Sequence, residues 1–399
     1  MTDFMEEPKV RSYFFAAVVA AFGVSATDAA IAQDTVKIGI IVPMTGVLAP
    51  LGKQVTAAAK LYVAQHGTTV AGKKIELIIK DDSGVPDNAR RLAQELVVND
   101  QVSVIGAGVA PSALAVAPIV TQGKVATVVM IAGTSIVIGR SPYFVRTSFT
   151  LGQSSSIIGE WAAKNGSSKV VIIHSDYPAG PEASAVFTAA FTKGGGQIAE
   201  TLKVPVSNPD FAPALERARD LKPDTLFVFV PASGQAGAFA KQFVERGFVK
   251  AGIKLIGPGD ITDDDDLPAM SDAMLGVVTA GNYSADHQSA MNTKYVEDFK
   301  KAYNLRPNFI SVGGWDGMHA IYEALKKTGG RTDGDSLIEA MKGMSWESPR
   351  GPISIDPQTR EIVQNIYIRK VEKKNGELYN VEFATFEAIK DPGKASEQK

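Results

Sequence analysis

The chain has 399 residues, which is enough for two domains of ordinary size. Charged residues make up 21% of it and the formal net charge is -2, so the composition predicts no nucleic-acid partner and no basic membrane-binding face. The sequence contains no cysteine, which excludes disulfides, thiol catalysis and cysteine-based metal sites. We also expect no lipid-anchored form, because a bacterial lipoprotein is processed at a cysteine.

The amino-terminal segment has the plan of a secretory signal peptide. Lys9 and Arg11 precede an uncharged apolar run over residues 13–26, and Ala30-Ile31-Ala32 supplies an A-x-A cleavage signal. The run is shorter than the roughly 20 apolar residues that span a bilayer. We therefore expect residues 1–32 to be removed on export and the mature chain to have no stable membrane insertion.

From residue 35 onward, short β-branched runs alternate with longer segments of helical periodicity, the pattern of βαβ units with parallel sheets. The first series predicts strands at 36–42, 75–80, 102–105 and 125–131 and helices at 50–65, 86–99 and 112–122. The second predicts strands at 170–174, 225–230 and 253–256 and helices at 152–165, 182–193, 211–221 and 235–246. Beyond Gly281 we expect helices at 292–303, 309–327 and 335–342, then strands at 352–355 and 363–371. The predicted fold class is α/β, with two Rossmann-like lobes that have parallel-sheet cores.

No motif in the sequence predicts catalysis, a cofactor or a metal. Residues 46–53 (GVLAPLGK) depart from the spacing of a phosphate loop, and Gln54 stands where such a loop needs Ser or Thr. Gly106 and Gly108 form a GxG without the third glycine of the dinucleotide fingerprint. The acidic run 263–266 is either a cation site or, as we favour, the first turn of a helix capped by Thr262.

The strand-to-helix loops are rich in small residues, at 43–52, 107–112, 132–135, 177–180, 231–235 and 257–260. In open α/β sheets, ligands bind at the carboxyl ends of strands, where these loops lie. Small side chains let backbone N–H groups approach a ligand, and a helix amino terminus favours an anion. The loops therefore suit a bound carboxylate, although each one alone is also explained as a tight turn.

Four segments carry a resemblance to a known family: VKIGIIVPMTGVLAPLGKQ (36–54), KIELIIKDDSGVPDNARRLAQELV (74–97), KPDTLFVFV (222–230) and GPISIDPQTREIVQNIYI (351–368). They resemble, in order and over essentially the whole mature chain, the branched-chain amino-acid-binding (Leu/Ile/Val-binding) periplasmic receptors of ABC importers. The resemblance implies a type I periplasmic-binding fold, with two lobes joined by a three-strand hinge and the ligand in the cleft. It implies crossovers near 146–150, 276–281 and 348–351. The implied lobes are residues 33–148 plus 281–349 and residues 149–280 plus 350–390, followed by a frayed tail at 391–399.

The resemblance also implies ligand-binding positions in the first lobe. In the family, backbone amides and hydroxyls of two loops bind the ligand carboxylate. Here the first loop contains Ala110, with Ser112 as a substitute hydroxyl, and the second contains Ala132 and Thr134. Leu51 stands where the family has an aromatic ring over the ligand side chain, which suggests a changed pocket.

In the second lobe, Tyr177 lies two residues before Ala179, the position of a family tyrosine, and Ala232 replaces another tyrosine. The acidic residue that pairs with an amino-acid ligand's ammonium falls on Gly259, with Asp260 adjacent. If Asp260 faces the cleft, an amino acid remains possible. If it caps a helix, an ammonium would be buried unpaired at a high cost, and an aromatic or aliphatic acid without an amino group would fit better.

These features predict a periplasmic transport receptor that closes on a small carboxylate and delivers it to the permease subunits of an ABC importer. A sensor of the same fold that feeds a signalling partner is the alternative. No nucleophile–base pair or metal constellation in the sequence supports an enzyme. We expect a monomer, because each closed receptor presents one face to its transporter.

Overall fold

The computed structural model describes residues 1–2, 5 and 35–395. The apolar run and cleavage signal of the predicted signal peptide lie outside the described residues. The strands are β1 (Thr35–Val42), β2 (Thr69–Val70), β3 (Lys73–Asp81), β4 (Val104–Ala107), β5 (Ala126–Val129), β6 (Phe144–Arg146), β7 (Lys169–Ser175), β8 (Gln197–Val204), β9 (Thr225–Phe229), β10 (Lys254–Pro258), β11 (Val278–Gly281), β12 (Ser345–Ser348), β13 (Gly351–Ile355), β14 (Ile362–Lys374) and β15 (Glu377–Ile389). The helices are α1 (Ala49–His66), α2 (Pro86–Val98), α3 (Ala110–Gly123), α4 (Leu151–Lys164), α5 (Ala179–Lys193), α6 (Ala212–Asp220), α7 (Gln235–Glu245), α8 (Ala290–Tyr303), α9 (Phe309–Lys327), α10 (Gly334–Met341) and α11 (Pro392–Ala395).

The first sheet has the order β2-β3-β1-β4-β5-β6, and its neighbouring strands are parallel except for the short β2–β3 pair. Strand β1 (TVKIGIIV) is apolar along most of its length, and its last five residues are all buried. Ile41 packs with α2 and α3 in one cluster, whereas Ile40 packs with α1 and α9 in another. Helices therefore cover both faces of the sheet, which is why its strands are apolar rather than alternating.

The second sheet has a parallel part, β11-β10-β9-β7-β8, that continues through the antiparallel strands β14, β13 and β12. Strand β15 pairs with β14 to form a long hairpin. Its two turn residues, Asn375 and Gly376, both have positive φ, at 51° and 88°. Two-residue hairpin turns of this kind require positive φ at both positions, and Asn-Gly meets that requirement at little cost.

The predicted α/β class is confirmed, and helices α1 to α10 correspond to the helices expected from the sequence. The strands β2, β6, β8, β11, β12 and β15 were not predicted, and β14 extends beyond the expected 363–371 at both ends. The tail also differs from expectation, because α11 follows a buried Asp391 and contains a buried Lys394. Within the described residues, no helix has the length and apolar run that crossing a bilayer requires.

The chain passes between the two sheets three times, after β6, after β11 and after α10, and a buried arginine lies at each passage. Arg146, at the end of β6, is 0% exposed and pairs with Glu361 at 2.5 Å. Its guanidinium also donates to the carbonyl oxygens of Ala132 and Thr134, in the loop after β5. Arg146 therefore connects the first crossover to that loop.

The other two passages have their own arginines. Arg369 on β14 donates to the Tyr283 carbonyl and, at 3.1 Å, to the Thr279 hydroxyl, so it holds the segment around β11. Arg350, at the third passage, pairs with Asp316 of α9 at 2.8 Å and donates to the carbonyls of Thr147 and Ser148 at 2.6 and 3.1 Å. Burial lowers the pKa of both guanidinium groups, and nearby carboxylates oppose that effect.

We expect Arg350→Met to lower the free energy of unfolding by about 3–5 kcal/mol, because it leaves the Asp316 carboxylate buried without its cation. Urea unfolding of the mature chain measures this loss. Arg90→Met is the matched control, since Arg90 pairs with Asp87 on an exposed surface at 3.6 Å, and we expect it to cost less than about 1 kcal/mol. Equal losses in the two variants would contradict a structural role for the buried pair.

Candidate ligand-binding site

A cavity of about 190 Å³ lies between the carboxyl ends of the two sheets. The first lobe contributes the loops after β1, β4 and β5, and the second contributes the loops after β7, β9 and β10. The lining residues are Leu48, Leu51, Gly84, Val109, Ala110, Pro111, Ile131, Ala132, Gly133, Phe149, Leu151, Tyr177, Ala179, Val206, Phe229, Pro231, Ala232, Asp260 and Ile310. Most of this wall is apolar, and among residues 35–395 no lysine, arginine or histidine belongs to it.

Five helices begin at this cavity. The first turns of α1, α3, α4, α5 and α9 contribute Leu51, Ala110, Leu151, Ala179 and Ile310 to its wall. The helix dipole places partial positive charge at each of these ends. The first N–H groups of α4 and α9 are bonded to the side chains of Thr150 and Asn308, whereas no side chain caps α3 or α5. The convergence of these helix amino termini therefore gives the apolar cavity a positive potential without a cationic side chain.

The two lobe-one loops bring backbone close to the cavity because their residues are small. At Gly133, an added Cβ would lie 2.7 Å from the Phe149 ring, so a larger residue would displace that ring. At Gly108, it would lie 2.8 Å from the Ile41 carbonyl oxygen. Arg146 fixes the second loop by its bonds to the Ala132 and Thr134 carbonyls.

The lobe-two wall presents a flat aromatic surface beside small residues. The rings of Tyr177 and Phe229 stack with centroids 5.9 Å apart and an interplanar angle of 26°. Ala179 and Ala232 lie on the same wall, where their methyl groups leave the space beside the rings open. A planar ligand group fits against this surface, because aromatic rings prefer stacked or edge contacts.

Asp260 is the charged side chain of the lining. It lies in the turn Gly259–Thr262 that follows β10 and is 6% exposed. Burial raises the pKa of its carboxyl to about 7, although the positive charge of Arg369 acts in the opposite direction. Burial raises the pKa of the Tyr177 phenol, and the charge of Asp260 adds to that rise.

The hydroxyls of Ser112 and Thr134 are buried, but neither residue belongs to the lining. Ser112 lies instead beside the buried carboxyl of Asp82, which also accepts a hydrogen bond from the Gly84 amide at 2.8 Å. Burial raises the pKa of Asp82, and the nearby Ser112 hydroxyl and the Gly84 amide oppose the rise. Ser112 therefore lies near Asp82 and outside the cavity lining.

A polar contact joins the lobes at the rim of the cavity. The amide of Ser135, which follows the lobe-one loop, donates to the two carboxylate oxygens of Glu182 at 2.9 and 3.2 Å. The Ser135 hydroxyl donates to the same carboxylate at 2.7 Å. Glu182 lies in the first turn of α5, and burial raises its pKa. We call this contact the rim latch.

The acidic run at 263–266 does not begin a helix at Thr262, so the favoured interpretation of that run is wrong. The Thr262 hydroxyl lies 3.1 Å from that of Thr279, and Thr262 ends a short turn. Asp263 accepts a hydrogen bond from Asn308 at 3.0 Å and Asp264 accepts one from Asn380 at 3.1 Å. Within residues 35–395, no group of three or more acidic, histidine or cysteine side chains is arranged to hold a metal ion.

The structure thus brings six of the eight residues singled out in the sequence to one cavity: Leu51, Ala110, Ala132, Tyr177, Ala232 and Asp260. The sequence did not predict Phe149 and Leu151, which lie at the first passage between the sheets, or Ile310, which lies far along the chain in α9. Phe229 was also missed, since it ends a predicted strand and its apolar side chain suggested core packing. Its place at the carboxyl end of β9 is the signal that would have identified it.

Comparison with known proteins identifies relatives over most of the chain. Residues 35–377 match the family model described as periplasmic binding protein. The chain is 43% identical to Leu/Ile/Val-binding protein homolog 6 of Brucella abortus (strain 2308), over 90% of this chain and 94% of the relative.

Two crystal structures of solute-binding proteins of ABC transporters are also similar. One, from Rhodopseudomonas palustris BisB5 in complex with 3,4-dihydroxybenzoic acid, is 66% identical with a TM-score of 0.89, over 91% of this chain and 100% of that chain. The other, from R. palustris HaA2 in complex with p-hydroxybenzoic acid, is 38% identical with a TM-score of 0.88 and the same coverage. The family expected from the four sequence segments is confirmed. The chain belongs to the Leu/Ile/Val-binding family of periplasmic binding proteins and has the type I fold.

Proposed function

We propose that this chain is the periplasmic receptor of an ABC importer for an aromatic carboxylate, which binds in the cavity between the lobes and is delivered unchanged to the permease. The observation that carries the proposal is the convergence of five helix amino termini on an apolar cavity. A small anion with an apolar body matches both properties of such a site.

The carboxylate of the ligand is assigned to the lobe-one loops. Ala110 begins α3 and Gly133 follows β5, so the backbone N–H groups of these two residues can donate to it. The Ala132 N–H already donates to the Gly108 carbonyl at 3.0 Å. Hydrogen bonds from N–H groups to an ionised oxygen are stronger than those between neutral groups. The buried hydroxyls of Ser112 and Thr134 stay outside this assignment, because they do not line the cavity.

The body of the ligand is assigned to the space between the apolar walls. An apolar cavity of about 150 Å³ accommodates benzene, so the present 190 Å³ suits a substituted benzene ring. The Tyr177–Phe229 stack supplies a flat surface for such a ring. The two R. palustris relatives bound to hydroxybenzoic acids support the same ligand class.

A branched-chain amino acid is the second candidate, because Asp260 does line the cavity and an ammonium needs a carboxylate partner. Two observations weigh against it. Burial raises the pKa of the Asp260 carboxyl to about 7, and the wall around it is apolar and aromatic. Binding an ammonium there requires the buried carboxyl to ionise and the ammonium to lose its hydration in an apolar cavity, which is costly.

Closure of the two lobes around the ligand supplies the transport signal, as in hinge-type binding proteins generally. We assign residues 33–148 plus 281–349 to one moving lobe and 149–280 plus 350–390 to the other. The rim latch joins these lobes beside the cavity, so it stabilises the closed form that the permease recognises.

We expect a monomer without catalysis of its own. Transport by the reconstituted importer separates this role from that of a sensor.

We expect 3,4-dihydroxybenzoate at about 100 times its dissociation constant to stabilise the mature chain by about 2.7 kcal/mol, because it binds the folded state alone. A thermal-shift assay of residues 33–399 measures this as a rise in melting temperature. Leucine at the same concentration should produce no rise. A rise with leucine and none with aromatic acids would contradict the proposal and favour the amino-acid candidate.

The matched control for this assay is Ala232→Phe, which fills the cavity from the lobe-two wall. We expect its melting temperature without ligand to stay within a few degrees of the unsubstituted chain, while the rise with 3,4-dihydroxybenzoate disappears. A full rise in this folded variant would place the ligand elsewhere.

We expect Glu182→Ala to weaken 3,4-dihydroxybenzoate binding by about threefold to tenfold, because the closed form loses its rim hydrogen bonds. Glu182→Gln keeps an acceptor oxygen for the Ser135 amide and should lose less affinity. Calorimetric titration measures both, with the exposed Glu160→Ala as the control. The same affinity in all three variants would show that the latch does not affect closure.

A further inference from the structure

Asp260 is the feature of the cavity that anion binding leaves unexplained. It is the one charged side chain of the lining in the described part of the chain, and it is almost fully buried. A negative charge does not help to bind a carboxylate. Burying a carboxyl among apolar groups also carries a cost unless it forms hydrogen bonds. Its position beside a ligand cavity therefore calls for a partner on the ligand.

The protein itself supplies few partners to this carboxyl. Its own backbone amide is the hydrogen-bond donor, and Arg369 acts on it as a nearby charge. The two terminal nitrogens of the Arg369 guanidinium donate to the Tyr283 carbonyl and the Thr279 hydroxyl, whereas its Nε has no hydrogen-bond partner. The guanidinium also lies 4.0 Å from the Asp264 carboxylate. The Asp260 carboxyl therefore retains acceptor capacity on the side of the cavity.

We propose that Asp260 makes the cavity selective for ring-hydroxylated benzoates over unsubstituted benzoate, by accepting a hydrogen bond from a hydroxyl on the ring. This inference rests on the proposed function, because it assumes an aromatic carboxylate in the cavity. The lobe-one amides take the carboxylate, and Asp260 lies on the opposing lobe-two wall beside Tyr177. A ring between the lobes therefore carries its hydroxyl towards Asp260.

The selectivity follows from what each ligand does to the carboxyl. A ring hydroxyl donates to the ionised carboxylate and replaces the water that the ligand displaces. The bare edge of benzoate offers no donor and leaves the carboxylate buried without a partner. A site built to bond a ligand hydroxyl discriminates against the analogue that lacks it, because its own polar group is then left unsatisfied.

The protonation of Asp260 makes this discrimination depend on pH. Its pKa in the unliganded protein is about 7, as burial raises it. Benzoate favours the neutral carboxyl, so benzoate affinity falls as the pH rises above 7 and a proton must be taken up on binding. The hydroxylated ligand favours the ionised form, so its affinity is retained above pH 7. The ratio of the two affinities therefore increases with pH.

Other ionisable groups surround the site and act on both ligands alike. Tyr177 lines the cavity just before α5, whereas Asp82 and Glu182 lie outside the lining. Arg369 on β14 interacts with several carboxyls besides Asp260, namely Asp263, Asp264 and Glu382. Their effects cancel in the ratio of the two affinities, which isolates the contribution of the group that contacts the ring hydroxyl.

The test is calorimetric titration of the mature chain with benzoate and with 3,4-dihydroxybenzoate at about pH 6 and about pH 8. We expect the ratio of their dissociation constants to favour 3,4-dihydroxybenzoate and to grow about tenfold between the two pH values, since Asp260 passes from mostly neutral to mostly ionised. In Asp260→Asn, which keeps the shape and an acceptor oxygen, the ratio should become independent of pH.

Asp260→Leu removes the acceptor and should bind benzoate at least as tightly as the unsubstituted chain does, while 3,4-dihydroxybenzoate loses about tenfold or more. A ratio that does not change with pH in the unsubstituted chain would overturn the inference and leave the proposed function intact. A pH-dependent ratio that persists in Asp260→Asn would assign the selectivity to another group. Binding of neither ligand at either pH would instead overturn the proposed function itself.

Discussion

The burial of three guanidinium groups at the crossovers is the constraint on which the rest of the structure depends. Arg146, Arg350 and Arg369 are each at most 1% exposed, and each donates a hydrogen bond to a backbone carbonyl of a segment that leads from one sheet to the other. A buried cation persists only where carboxylates and carbonyls surround it, so each passage must keep its geometry. Through Arg146 this constraint extends to the ligand loop, because the same guanidinium holds the Ala132 and Thr134 carbonyls.

The cavity obtains its preference for an anion from the backbone instead of from a cationic side chain. Lysine or arginine in a closing cleft would have to shed water each time the lobes came together, whereas helix amino termini are already fixed and weakly hydrated. The convergence of α3 from one lobe and α5 from the other also means that closure completes the positive potential. The apolar wall and the buried carboxyl of Asp260 then determine the selectivity of the cavity among anions.

Much of the fold could be predicted from periodicity, because parallel strands buried on both faces and helices with one apolar face have distinct patterns. The hairpin of β14 and β15 was missed although Asn375-Gly376 is a strong turn signal, because β15 does not alternate cleanly: Asn380 is buried and Phe383 is half-exposed. The cavity could be predicted only in part. Loop residues such as Ala132 follow strands and are visible in the sequence, but Phe149 and Ile310 reach the cavity through tertiary packing that no local pattern encodes.

A crystal structure of the mature chain with 3,4-dihydroxybenzoate tests the proposed binding mode most directly, because this mode assigns each end of the ligand to a different lobe. It predicts the carboxylate at about 2.7–3.1 Å from the backbone N–H groups at the start of α3 and after β5, and a ring hydroxyl within hydrogen-bond distance of Asp260. It also predicts the ring beside the Tyr177–Phe229 stack. A ligand bound in the reverse orientation, with its carboxylate against the second lobe, or bound outside this cavity, would contradict the account.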